Sequence, residues 1–289
     1  MRGDATVAVS PAAGTKGRGV AEIGFAQRAG RSRLTHLYQR DPLRVLFPHA
    51  AEDDAPLAVL VTTSGGLAGG DTLAVDVSVG PGASLHVTAQ AAEKIYRSDG
   101  PDTEVSLRLA AQDGAWLEYL PPETILFDGA RLRRQATVEL GRNAAFLGGE
   151  IAVFGRIARG ETLTAGLLHD AWEVRREGRA VWADALHLDG DFPALLADPA
   201  CLDGATAAAT LILAAPHAER FLDDVRKIIT TGTAGGGVRG GASLVNGVLL
   251  ARFLGRDAAA LRGAYAVLAM SLRQAAGGLP PRLPQTWHI

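Results

Sequence analysis

From Ala21 to about Leu213 the chain alternates between apolar and polar residues with a period of two. Leu73, Val75, Val77 and Val79 are each separated by one small or polar residue. Leu85, Val87 and Ala89 repeat the pattern, as do Val105, Leu107 and Leu109. Such a period puts one side of the backbone in a core and the other in water, the mark of a half-buried β-strand. Further strands are predicted at Arg33–Gln39, Leu57–Thr62, Ala115–Leu120, Gln135–Leu140, Glu161–Leu168, Trp172–Arg176, Ala180–Leu188 and Ala207–Leu213. Between them lie Gly80-Pro81-Gly82, Ser98-Asp99-Gly100-Pro101, Gln112-Asp113-Gly114, Asp128-Gly129 and Glu177-Gly178, all turn-forming combinations.

The period changes towards the C-terminus. Pro216–Thr230 places Phe221, Leu222, Val225, Ile228 and Ile229 on one helical stripe, with Pro216 at the start and Gly232 beyond the end. Asp257–Ala276 does the same with Leu261, Ala264, Tyr265, Leu268 and Leu272, and Gly277-Gly278 is the stop. A strand is predicted between the helices at about Ser243–Phe253. The fold class is therefore mainly β: an irregular β-helical, solenoid-like body of many short strands, with two α-helices in the C-terminal third. Residues 1–20 read as a disordered tail and 21–289 as a single domain. No alternating βαβ units occur, which excludes a doubly wound sheet.

Composition removes several functions. With 289 residues the chain can bury a large core without cross-links. A net charge of −2 offers no basic field to nucleic acid. No apolar run approaches the roughly 20 residues of a membrane helix. The one cysteine, Cys201, rules out an intramolecular disulfide and a cysteine-cluster metal site, and fits a reducing cytoplasm.

The candidate chemistry is mostly carboxylate. Gly65-Gly66-Leu67-Ala68-Gly69-Gly70-Asp71 looks like a phosphate cradle, but it ends in an acid where a nucleotide loop needs Lys and Ser or Thr, and a strand follows it. It reads as a turn. The seven histidines show no i, i+4 pairing of a metal site, although His288 near the C-terminus is a candidate for transient metal contact. No G-x-S-x-G elbow is present. Glu150 interrupts an apolar, glycine-rich run, Phe146–Gly155. It sits either at a turn or in an internal polar space, with Arg156 as a nearby partner. Paired acids such as Glu118 and Glu123 leave open a second reading, a β-solenoid carbohydrate-active enzyme. An aromatic content of 6% gives such an enzyme few stacking platforms.

Four ordered blocks carry a resemblance. They are S-G-G-L-A-G-G-D at Ser64–Asp71, T-A-Q-A-A-E-K-I-Y-R-S at Thr88–Ser98, G-A-W-L-E-Y-L-P-P-E-T-I-L-F at Gly114–Phe127 with Gln135 beyond, and Gly148–Glu161 with its Gly155-Arg156 and Gly160-Glu161 ending. Together with Pro281-Arg282 and Trp287 they resemble the urease accessory protein family called UreD or UreH. The chain departs from it at Glu93, where the family commonly has a small or hydroxyl residue. The resemblance implies a protein that is not an enzyme. It implies a scaffold that binds the urease apoprotein and the helical accessory protein UreF and, through UreF, the GTPase UreG. It implies no tightly bound cofactor, but passage of Ni2+ through an internal water-filled tunnel. On that reading Asp71, Glu150 and Glu161 line or guard the nickel path, because a moving dication needs oxygen ligands that also release it. Lys94, Tyr96 and Arg97 fix the structure or gate the path. The two helices and the C-terminal segment, with Trp287, are the expected docking elements.

Overall fold

The computed structural model describes residues 16–288. The expected tail falls largely outside these residues. From Arg18 onward the chain is strand.

The first coils are β1 (Arg18–Arg28), β2 (Arg31–Arg40), β3 (Leu43–Leu46), β4 (Leu57–Thr62), β5 (Thr72–Val79), β6 (Ser84–Ala89), β7 (Glu93–Ile95) and β8 (Thr103–Ala111). Then come β9 (Trp116–Tyr119), β10 (Thr124–Leu126), β11 (Arg131–Leu140), β12 (Ala145–Phe154), β13 (Ala165–Arg176) and β14 (Arg179–Asp191). The remainder is the short helix α1 (Phe192–Ala197), β15 (Ala207–Ala214), α2 (Leu222–Gly232), β16 (Val238–Val245), β17 (Val248–Gly255) and α3 (Ala258–Gly277).

The chain shuttles between two sheets. In the first, β1, β5, β8, β11 and β13 run parallel, and β2 and β14 close the two edges antiparallel. In the second, β4, β6, β9 and β12 run parallel, with β3 at one edge and β15, β17 and β16 extending the other. β7 and β10 form a short parallel branch on β12. Each coil thus gives one strand to each sheet, which is a solenoid-like stack. The antiparallel end strands terminate it and satisfy ladder groups that would otherwise be free.

Two apolar layers follow from this. The inward residues of both sheets, among them Val77, Leu109, Val138, Trp172, Leu117 and Phe146, meet in the middle. The outer face of the second sheet, including Leu147, Ile151, Leu211 and Phe253, is covered by Leu261, Tyr265 and Leu268 of α3 and by Val225 and Ile229 of α2. Strand β12 is therefore buried on both faces, and its sequence shows no alternation. α3 is capped at both ends. The Asp257 carboxylate accepts from the Ala259 and Ala260 amides, and Gly278 ends the helix in the left-handed conformation at φ 62°.

Several segments differ from expectation. Glu161–Leu168 and Trp172–Arg176 are not two strands: β13 runs unbroken from Ala165, and Glu161 lies in the loop before it. α1 was not foreseen. The single strand expected near Ser243–Phe253 is a hairpin turning at Asn246-Gly247, both at positive φ (47° and 80°), as a primed two-residue turn requires. Trp287 is buried rather than offered for docking. It stacks on Tyr265 with ring centroids 5.9 Å apart, and its indole N–H donates to the Leu120 carbonyl.

Candidate functional site: a charged interior between the sheets

Two inward positions of the first sheet hold charges where apolar residues belong. On β11, Leu132, Ala136 and Val138 point inward, and so does Arg134. On β13, Leu168, Trp172 and Val174 point inward, and so does Asp170. Parallel pairing sets Arg134 directly beside Asp170. Arg134 Nε donates to Asp170 Oδ1 at 2.9 Å, and a second guanidinium nitrogen donates to Oδ2. The third nitrogen crosses to the opposite sheet and donates to Thr124 Oγ1 of β10 at 3.1 Å. The guanidinium therefore spans the gap between the sheets. The two side chains are 8% and 2% exposed, so both charges are retained by each other. Burial alone would weaken the hold of Arg134 on its proton, and Asp170 and then Glu150 more than reverse this.

A carboxylate stands on either side of the pair. Glu93 on β7 is the register neighbour of Thr124, and Thr62 Oγ1 donates to its Oε2 at 2.5 Å. Burial pushes the Glu93 carboxyl above its ordinary value. Glu150 on β12 shares the inward face with Phe146, Ala152 and Phe154, opposite Thr210 of β15. Burial, reinforced by Asp170 and opposed by Arg134, pushes its carboxyl up to about 8. Among the described residues, Glu150 Oε2 and Trp172 Nε1 are buried without a hydrogen-bond partner. Tyr119, deep in the same layer, is pushed up to about 12 by burial.

These groups face two cavities. The first, of about 170 Å³, has Thr62, Glu93, Thr124, Tyr119 and Arg134 in its lining. Its outer lining includes the exposed Gly65, Ala91 and Lys94. The second, of about 430 Å³, is lined by Glu150, Asp170, Thr210 and the rings of Trp172 and Trp182. Its outer end holds the exposed Asp184, Arg239 and Arg252, and Arg252 pairs with Asp184 at 2.5 Å. Among the described residues none lines both cavities, and the Arg134–Asp170 pair is their common wall.

Asp71, Glu150 and Glu161 are not brought together, and only Glu150 lines either cavity. It lies mid-strand rather than at a turn, and its charged neighbours are Asp170 and Arg134, not Arg156. Asp71 accepts from the Gly17 amide at 2.7 Å and the Ala68 amide at 2.8 Å, tying the glycine turn to the start of β1. Asp71→Ala is expected to lower stability by about 1–3 kcal/mol through these orphaned amides, read as a lower thermal midpoint by circular dichroism. An unchanged midpoint would contradict this role. Glu161 accepts from the Asp128 amide at 3.0 Å and from Arg156, whose guanidinium lies 4.2 Å from the Phe127 ring centre. Arg97 pairs with Asp128, and Tyr96 donates to the Gly65 carbonyl at 2.9 Å. Gly66, at φ 149°, presses on Tyr96: a Cβ there would stand 2.6 Å from the ring. The glycine loop is thus a packing joint against 94–96. Lys94 borders the first cavity.

Glu118 and Glu123 do not form a catalytic pair. Glu118, fully buried, accepts from Arg273 at 2.8 Å and from Trp116 Nε1 at 2.9 Å, and lies 3.0 Å from His86 Nδ1. Glu123 stands 3.6 Å from Arg262. Among the described residues no three His, Cys, Asp or Glu side chains converge as a metal cage.

Arg134 and Asp170 escaped sequence reading because the predicted strands began one and two residues after them. Extending the period backward from Ala136 and from Trp172 reaches both.

Fold and interior together define a two-sheet β-solenoid scaffold with an acid-bearing, partitioned interior. Residues 17–288 match the family described as UreD urease accessory protein. The chain is 46% identical to the urease accessory protein UreD of Magnetococcus marinus over 94% of each chain. It is 48% identical to that of Methylobacterium sp. (strain 4-46) over 90% of each, and 42% identical to that of Xanthobacter autotrophicus over 89% of this chain and 85% of the relative. The chain belongs to the UreD urease accessory protein family.

Proposed function

We propose that this protein is a non-catalytic factor of cytoplasmic urease maturation. It binds the urease apoprotein and UreF, reaches UreG through UreF, and passes Ni2+ through its interior towards the apoprotein. Nickel is cargo on this reading, and no resident cofactor is invoked. The observation that supports the path is the pair of back-to-back cavities with carboxylates on both sides of their common wall. Of the acids singled out in the sequence, Glu150 belongs to the path, joined by Glu93 and Asp170. Asp71 and Glu161 hold loops.

The chemistry suits transit. Glu93 and Glu150, both raised by burial, carry protons more readily than ordinary carboxylates when no cation is near. At Glu150, held at about 8, an arriving dication displaces the proton, and regaining it helps expel the ion, so the stop is brief. A thiolate or imidazole cage would retain it.

The test is nickel-dependent urease activity in cells carrying the urease operon, with this gene deleted and then restored. Loss on deletion and rescue on restoration are expected. Full activity without the gene would overturn the reading.

A further inference from the structure

We propose that Arg134 is a moving gate that admits a divalent cation only by exchanging its carboxylate partner. The inference rests on the interior being the nickel path. Its basis is the wall itself. Arg134 lines the first cavity and Asp170 the second, and the guanidinium bridges both sheets through Asp170 and Thr124. A fixed positive charge in a poorly screened interior repels a dication, and the closed pair occupies the Asp170 oxygens that the ion would use. The ion cannot reach the second cavity while the pair stands.

A second carboxylate lies on the first-cavity side. Glu93 neighbours Thr124 in the β7–β10 pairing, and the outermost nitrogen of Arg134 already reaches the Thr124 hydroxyl. Swinging the guanidinium from Asp170 to Glu93 keeps it paired with an acid throughout. It also frees Asp170, next to Glu150 and its unpartnered Oε2, for the cation. Glu93 accepts Arg134 as its new carboxylate partner while the cation pairs with Asp170, so no charge stays unpaired. After the ion leaves, Asp170 recovers the guanidinium and the wall closes. The gate blocks leakage in both directions without any hinge, because one long side chain does the moving.

The test is a double-mutant cycle in the reconstituted urease activation complex, with Ni2+ as the probe. Glu93→Gln removes the second berth and leaves the resting pair in place. Its activation rate is expected to fall about tenfold, the loss of one charged partner. Arg134→Gln with Asp170→Asn removes the gate and leaves no unpaired charge. In that background Glu93→Gln is expected to cost clearly less than it does alone, because only its part as a stop for the ion remains. If Glu93→Gln costs the same in both backgrounds, Glu93 is only a ligand and the gate is overturned. Ala92→Trp, which fills the first cavity, tests the path separately. If it leaves activation unchanged while the complex forms, the path fails and the gate with it. If it lowers activation and the cycle is additive, the gate alone fails. Crystals of the unmodified protein soaked with Ni2+ supply a readout independent of variant folding. Anomalous density beside Glu150 with Arg134 turned to Glu93 is expected, and density there with Arg134 still on Asp170 would overturn the proposal.

Discussion

Glu150→Gln is expected to raise stability at pH 8 by about 2–4 kcal/mol and at the same time to slow nickel-dependent urease activation. The Glu150 carboxyl is held at about 8 against an ordinary 4.5, first by burial and then by Asp170. Between those two values the folded protein keeps a proton that the unfolded chain has released. Stability therefore falls as pH rises from about 4.5 to about 8, with the loss complete above the folded value. At about 1.36 kcal/mol per pH unit the ceiling is near 5 kcal/mol, and hydration of the cavity reduces it. Glutamine does not titrate, so the decline disappears. Urea unfolding at pH 5 and pH 8 checks this: the parent should lose stability across the interval and the variant should lose much less. Equal slopes would show that Glu150 is not held as a neutral acid. A change that steadies the fold yet weakens the task marks a residue retained for function rather than for folding.

Arg273→Met is expected to cost about 3–5 kcal/mol, the usual penalty for stranding a buried charge. Arg273 donates to Glu118 at 2.8 and 3.0 Å and to Asp54 at 2.6 Å, and its own side chain is 1% exposed. Burial alone would raise the Glu118 carboxyl. His86 and Arg273 outweigh it and hold the group at about 2. Because the folded value is depressed, its contribution is fully present above about 4.5 and is lost as pH falls towards 2. Arg273→Met should flatten that acid limb as well as lower the denaturation midpoint. Adding Glu118→Gln removes the stranded charge and should recover much of the loss. A double variant as unstable as the single one would show that packing of the arginine stem, not charge, carries the effect.

The alternating segments of the first sheet were legible because each has one wet face: Leu73, Val75, Val77 and Val79 all fall on the buried side of β5. Ala145–Phe154 was not, since helices cover its second face and erase the alternation. Asn246-Gly247 announces a hairpin, but Ser243–Phe253 around it reads as one continuous run. Glu150 stood out as an acid in an apolar stretch, whereas Arg134 and Asp170 did not, because charges at inward positions cut the predicted strands short. Asp71 was conspicuous for the opposite reason. A turn that needs its carboxylate looks, in sequence alone, much like a binding loop.

The closure of the Glu118 site by the last helix has a consequence for biosynthesis. Arg282 reaches Asp53 at 2.5 Å and Asp54 at 3.1 Å across 229 and 228 positions, while Arg273 meets Glu118 across 155. The parallel coils pair with near neighbours and can zip up in order as they leave the ribosome. Glu118 and the outer face of the second sheet must then wait, uncovered, for the last helix to be translated. A ribosome stalled anywhere before Arg273 would hold a nearly complete stack with an open apolar flank, so slow codons in the final stretch should be the ones that send this protein into inclusion bodies.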